Sequence, residues 1–333
     1  MSLLLIVAIS NFEGCETAKH TTSYPDFYKL YLQKYKSYLN EHSQFITIDN
    51  VHVHYRDEGN GPVLILLHGF ASSLHTWDGW TNILKNKFRI IRMDILGFGI
   101  TGPSTSGKYS TKIWIDFIHK FVNAIKLDHF HLVGNSLGGY IAWKYANEHP
   151  EKVDKLILID SVGYSHEIPW IFKLSSSFAL KPASKIMFPK FIVRMCVKQC
   201  YHAQLKVTSE LINHYYGLAL REGNINSYLD IIQFIKEVSC NAAAGNDIKK
   251  IQAPVLVMWG ENDCWIPVKL IDKWKTDLPA AITIVYEETG HVPMEERPEK
   301  TALDAYSFLM ELDCLISGKK YIHGKKGIIE SDG

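Results

Sequence analysis

The stretch His129-Phe130-His131-Leu132-Val133-Gly134-Asn135-Ser136-Leu137-Gly138-Gly139-Tyr140 decides how the chain reads. Residues 129–133 are strand text and residues 138–149 are helix text, so very few positions are left to reverse the chain between them. A turn this tight presses the residues two before and two after the serine against the crossing backbone, which is why Gly134 and Gly138 carry no side chain. Ser136 is pushed out at the strand end, where a helix begins whose free N–H groups favour developing negative charge. Gly-x-Ser-x-Gly between a strand and a helix is the pattern of a nucleophile elbow, and Gly139 lets the helix pack closely.

Strand-like runs lie on both sides of this turn, at residues 44–48, 51–56, 63–67, 88–94 and 156–159, with a further helical segment at 112–126. Blocks such as 63–67 and 156–159 are apolar throughout and must be covered on both faces. That predicts an α/β protein with a mostly parallel sheet flanked by helices, the first two strands forming an antiparallel hairpin at its edge. From about residue 161 to 245 the alternation stops and apolar helical text rich in Phe, Met and Tyr takes over. Strands resume at 255–259 and 282–286. The expected organisation is an N-terminal segment (1–43), a core (44–160 and 246–314), a helical cap inserted into it (161–245), and a basic tail (315–333) that frays.

The 333 residues are 47% apolar, which excludes a disordered chain, and 36 Lys and Arg balance 35 Asp and Glu to a net charge of +1. No global field draws nucleic acid, so the expected partner is a small molecule. Six cysteines without a Cys-x-x-Cys pair suggest neither a disulfide scaffold nor a zinc site. The apolar run at residues 3–9 is far shorter than the roughly 20 residues a membrane span needs. The first basic residue is Lys19, so a secretory signal lacks its basic start. Gly14-Cys15 leaves lipid anchoring at Cys15 open beside a cytoplasmic or peripheral-membrane location. Across residues 24–42, Tyr24, Tyr28, Tyr31, Tyr35 and Tyr38 recur on one helical face. Packing on the chain's own domain and peripheral membrane contact both suit such a face.

A serine hydroxyl needs a base, and the base an orienting acid. His291 follows a strand and the Thr289-Gly290 loop. Asp263 follows the strand at 255–259, in Gly260-Glu261-Asn262-Asp263. Both should emerge at the carboxyl edge of the sheet with Ser136, in the order Ser, Asp, His that this elbow requires. Glu261 and Asp160 are rival acids. The oxyanion should be held by the backbone N–H groups of Leu137 and Phe70, the latter in the loop His68-Gly69-Phe70-Ala71. Gly69 would let this loop turn, and His68 would pack beneath it.

Taken together, His68-Gly69-Phe70, Asp94-x-x-Gly97-Phe98-Gly99, the serine elbow, Gly260-x-x-Asp263 and Gly290-His291 resemble, in order and spacing over about residues 45–312, the esterase and lipase branch of the α/β-hydrolase superfamily. Bacterial lipases and monoacylglycerol lipases share the Gly-Asn-Ser-x-Gly-Gly style and the Asp-Ser start of the cap, here Asp160-Ser161. The resemblance implies an α/β-hydrolase fold with a cap closing over Ser136 and hydrolysis of carboxylic esters of short- to medium-chain acyl or monoacylglycerol-like lipids. It implies a Ser136-His291-Asp263 triad and no metal or organic cofactor. A C–C bond hydrolase of ring-cleavage products, or a non-catalytic binder on the same fold, is the alternative. Some of the apolar residues crowded between Ile168 and Met195 should line an acyl pocket, unless they only pack against one another and leave a small pocket suited to acetyl esters.

Other motifs read as decoys. Gly97-Phe98-Gly99-Ile100-Thr101-Gly102 spells a dinucleotide fingerprint, but Pro103 and a Ser/Thr run replace its helix. His52 with His54, and His129 with His131, share strand faces without a third ligand. Cys196 and Cys200 suit buried packing.

Overall fold

The chain enters its sheet through an antiparallel hairpin of β1 (Ser43–Ile48) and β2 (Val51–Glu58). Asp49 and Asn50 turn it at φ 50° and 62°, a region that short polar side chains tolerate better than most. In the computed structural model the described residues are 32–175 and 189–311, with the backbone of 315–316, 319–324 and 327–331.

Five parallel crossovers build the rest of the sheet: β3 (Val63–Leu67), β4 (Arg89–Met93), β5 (Phe130–Asn135), β6 (Val153–Ile159), β7 (Val255–Gly260) and β8 (Ile282–Tyr286). The order is β1-β2-β4-β3-β5-β6-β7-β8, antiparallel through β2 and β4 and parallel beyond. Every residue of β7 and all but one of β3 are buried, as continuous apolar text requires when helices cover both faces. The covering helices are α1 (Asp78–Leu84), α2 (Thr111–Ala124) and α3 (Leu137–Glu148) and, in the second half, α8 (Ile271–Asp277), α9 (Pro293–Glu296) and α10 (Pro298–Leu309). In α2 the inward stripe is Trp114, Phe117, Ile118 and Phe121, at helical spacing, and Ser110 caps the start by accepting from the Ile113 N–H. The α/β-hydrolase architecture expected from sequence is what forms.

Between β6 and β7 the described part of the insertion is helical, as expected: α4 (Trp170–Ser175), α5 (Lys190–Cys200), α6 (Ser209–Ala219) and α7 (Asn224–Cys240).

Two expectations change. The helix anticipated over 24–42 does not run to its end. Residues 36–38 form a single 3-10 turn, and Leu39 is extended at φ −106°, ψ 149°. Asn40 is a poor helix former, and the backbone must be extended by Ser43, where β1 begins. Tyr24, Tyr28, Tyr31 and Cys15 lie outside the described residues. At the other terminus, the tail expected to fray carries β9 (Leu315–Ile316), β10 (Lys319–Gly324) and β11 (Gly327–Ser331), an antiparallel sheet of order β11-β10-β9. Gly324 and Gly327 pair where β10 turns into β11, and Tyr321, Ile322, Ile328 and Ile329 supply residues that favour strands.

Candidate active site

Ser136 sits between β5 and α3 with φ 55° and ψ −117°, a strained conformation costing about 1–3 kcal/mol that the surrounding packing must enforce. A Cβ on Gly134 would overlap the Gly138 carbonyl, and one on Gly138 would overlap the carbonyls of Leu67 and His68. The elbow is locked from outside as well. Ser136 N–H donates to the Ile159 carbonyl (2.9 Å), and its own carbonyl accepts from Tyr140 and Val162.

The loop after β3 lies against this elbow. A Cβ on Gly69 would come within 2.8 Å of Asn135 Oδ1 and 3.1 Å of the Ser136 Cβ, so the glycine serves close approach. The loop turns from Gly69, whose carbonyl accepts from Ser72 N–H (3.4 Å), and its left-handed residue is Ala71, at φ 54°. Among the described residues, no protein acceptor engages the amides of Phe70 and Leu137. His68 is buried beneath the loop, with Nδ1–H donating to the Gly69 carbonyl (2.8 Å) and Nε2 accepting from Ile95 N–H (2.9 Å). Burial pushes its pKa down, which keeps it neutral in this role.

Asp94, at the end of β4, ties these loops together. It accepts from the N–H groups of Leu74 and Ile100 (both 2.8 Å) and from His54 Nδ1 (2.9 Å). Burial opposes its charge, but His54, His68 and His75 around it hold it well below the usual carboxylate range. The glycine-rich run that follows wraps this carboxylate, since a Cβ on Gly99 would strike it. That explains a fingerprint without a nucleotide. His54 commits both ring nitrogens, to Asp94 and to Ser43.

Beyond β8, His291 Nδ1 bonds Asp263 Oδ2 at 2.7 Å, both buried. Asp263 Oδ1 accepts from the N–H groups of Trp265 (2.7 Å) and Ile266 (3.0 Å), so its carboxylate is aimed from behind. Trp265 stacks on the imidazole with ring centroids 5.6 Å apart. Ser136 and His291 border one cavity, with no hydrogen bond recorded between them; catalytic contacts commonly tighten only with substrate. Asp160 is adjacent to Asp263 but accepts from the Gly260 N–H (2.9 Å), while Glu261 is exposed. Among the described residues, the grouping of three side chains at metal-ligand spacing is Asp160, Asp263 and His291, and neither strand histidine pair gains a third ligand.

Several contributors escaped sequence reasoning. Asn135 Nδ2 donates to the His291 carbonyl (3.1 Å), linking elbow and base loop. His291 N–H donates to the Cys200 carbonyl (2.7 Å), so the cap holds the base loop directly. Glu296 completes that junction, accepting from Gly290 N–H (2.6 Å) and Ala203 N–H (2.7 Å). Its neighbour Glu295 is half-buried and accepts from Thr76, Tyr201 and Tyr215 hydroxyls. Burial raises the Glu295 pKa against the opposing pull of these donors. The pair follows His291 by four and five residues, a spacing that says nothing about Tyr215 and Ala203, 80 and 93 residues away.

The cavity has a volume of about 370 Å³ and mostly apolar walls. Of the cap residues expected to line it, Ile171, Phe172 and Ile192 do so. Trp170 and Phe191 do not; they are 52% and 66% exposed, because their neighbours occupy the inward positions of α4 and α5. Phe178, Leu180, Ile186, Met187 and Phe188 lie outside the described residues. Cys196 and Cys200 are free thiols on the wall, and burial pushes that of Cys196 up to about 11.

Residues 62–186 match a family model described as alpha/beta hydrolase fold. Over 270 residues the chain is 29% identical to 2-hydroxy-6-oxo-6-(2'-aminophenyl)hexa-2,4-dienoic acid hydrolase of Metapseudomonas resinovorans, covering 80% of this chain and 90% of that one. A monoacylglycerol lipase of Homo sapiens is 26% identical over 269 residues, 79% of either chain. Among solved structures, a membrane phospholipase A described as a bacterial virulence factor aligns at a TM-score of 0.68 and 25% identity, covering 86% of this chain and 90% of that one.

Proposed function

We propose that this chain, an α/β-hydrolase, hydrolyses carboxylic esters through an acyl-enzyme on Ser136. The supporting observation is Ser136, held in a strained turn, facing the same cavity as an imidazole whose Nδ1 is bound to a buried carboxylate. In this reading, His291 Nε2 takes the Ser136 proton as Oγ attacks the ester carbonyl. Asp263 holds the tautomer and stabilises the imidazolium. The oxyanion is received by the N–H groups of Phe70 and Leu137, and His291 passes its proton to the leaving alcohol. A water activated by His291 then releases the acid.

The apolar cavity suits short- to medium-chain acyl or monoacylglycerol-like esters, in keeping with the lipase and phospholipase among the similar proteins. A second reading, C–C bond hydrolysis, is favoured by the dienoic acid hydrolase. Its substrate carries a carboxylate, and no Lys or Arg stands among the described residues lining this cavity to receive one. That difference favours a neutral ester.

Labelling with a fluorophosphonate probe and assay against p-nitrophenyl esters and a ring-cleavage dienoate test the proposal. Labelling at Ser136 with ester turnover is expected. An unlabelled Ser136 would point to a binding protein, and preference for the dienoate to the C–C hydrolase.

A further inference from the structure

We infer that the outer face of the cap, built on Lys190, Phe191, Arg194, Lys198 and Leu205, docks on an anionic lipid bilayer. The first observation is charge. Residues 168–209 contain seven Lys and Arg and no Asp or Glu, while the whole chain carries +1, so the rest carries −6. A uniform surface would not gather seven charges of one sign into one stretch of the insertion.

The second observation is how α5 divides its faces. Val193 and Val197 are buried, and Cys196 and Cys200 line the cavity. Lys190, Arg194 and Lys198 recur at i, i+4 and i+8 on the opposite, exposed side, with Phe191 beside them at 66% exposure. Leu205 beyond the helix is 99% exposed, next to exposed Lys206. Trp170, 52% exposed, precedes two residues of α4 that reach the same cavity. Single exposed apolar residues are ordinary. Large ones interleaved with cations along a stretch of chain without acids match the layered chemistry of a bilayer: anionic headgroups outside, hydrocarbon a few ångströms deeper. Long basic side chains can keep their charge at headgroup level while their stems lie along the apolar layer.

Lys190 also reaches Asn213, and Lys206 the Glu296 carbonyl, so these two are anchored to the cap's own frame. The inward side of α5 forms wall of the cavity, so this face places the cavity beside the membrane that would hold a lipid ester. The choice of a lipid surface over an acidic protein rests in this respect on the ester-hydrolase reading.

The test is co-sedimentation of the full chain with vesicles of phosphatidylcholine alone or with added phosphatidylserine, at low and high salt, with turnover of a water-soluble short ester measured in parallel. Wild type should bind the phosphatidylserine vesicles and release them as salt rises. Arg194→Glu with Lys198→Glu should weaken that binding roughly a hundredfold or more, and Phe191→Ala with Leu205→Ala about tenfold, both with soluble-ester turnover at the wild-type level. Equal partition onto both vesicle types, no binding to either, or anionic binding unchanged in both double variants would overturn the proposal; the last would move membrane contact elsewhere on the chain. Vesicle binding without any ester turnover would remove the ester-hydrolase reading and leave the docking face standing, and turnover without vesicle binding the reverse.

Discussion

Asp160 and Asp263 stand side by side in one buried cluster with His291, but only Asp263 bonds the imidazole, through Oδ2 at 2.7 Å. The difference is set by backbone donors. Two N–H groups fix the Asp263 carboxylate from behind, whereas Asp160 spends one oxygen on Gly260, and its Oδ2 has no hydrogen-bond partner among the described residues. Burial, and then the neighbouring Asp263 charge, push the Asp160 pKa well above the usual carboxylate range.

Neutralising the two acids should therefore have unequal effects. Asp263→Asn removes the group that orients His291 and should lower kcat by about ten-thousandfold. Asp160→Asn changes a carboxyl that does not bond the imidazole and should cost less than about tenfold. Steady-state kinetics on a soluble ester would check this, and a larger loss from Asp160→Asn would move the acid to β6.

Glu295 joins cap and core through three hydroxyls, so Glu295→Leu would leave Thr76, Tyr201 and Tyr215 without their acceptor. A loss of stability on the order of 3 kcal/mol is expected. Because Tyr201 and Tyr215 also line the cavity, KM should rise more than kcat falls. Urea denaturation and kinetics on the same preparation separate the two effects. Wild-type stability in the variant would mean that the junction does not hold the cap.

Acid should destabilise the fold before it reaches the carboxylates. Burial lowers the pKa of His68 and His214 below 6.5, and that of His75 to about 3. Between those values and 6.5, the unfolded chain binds protons that the folded chain refuses, so stability present at neutral pH is lost as pH falls through this window. Each group contributes a slope of on the order of 1 kcal/mol per pH unit where fully engaged. Urea midpoints should stay nearly level down to about pH 6.5 and fall from there to about pH 5; a flat profile through that lower range would contradict neutral burial of these imidazoles.

Chain length tests the cavity. With about 370 Å³ of mostly apolar space, kcat/KM should rise from acetate to butyrate and hexanoate esters, each buried methylene adding about 0.8 kcal/mol at most. Phe172→Ala, at the wall, should flatten this series more than it affects acetate. A steady decline from acetate upward would mean a smaller working pocket.

The reading of β3, β7 and residues 156–159 of β6 from sequence succeeded because stretches covered on both faces are apolar throughout, and such blocks are visible without coordinates. The elbow was visible for a related reason. Gly134 records a collision with the Gly138 carbonyl four residues on, a local constraint that leaves a local mark, while Gly138 answers to the Leu67 and His68 carbonyls at the end of β3. The second role of Gly69, close approach to Asn135 and Ser136, left no mark, because a glycine needed for approach to a distant segment looks the same in sequence as one needed for a turn.

What the chain's order of residues determined on its own was the α/β-hydrolase fold and the candidates Ser136, Asp263 and His291, each at the end of its strand. Only the tertiary structure separated Asp263 from Asp160, because two buried carboxylates at neighbouring strand ends differ in which N–H groups face them. Only the tertiary structure joined Asn135 and Cys200 to the base loop, and Glu295 and Glu296 to the cap, since these bonds cross between segments far apart in sequence and leave no periodic trace. It also turned Phe191 and Trp170 outward while Ile192 and Phe172 turned inward. Adjacent residues on a helix are set about 100° apart, and which side meets the core depends on where the cap rests.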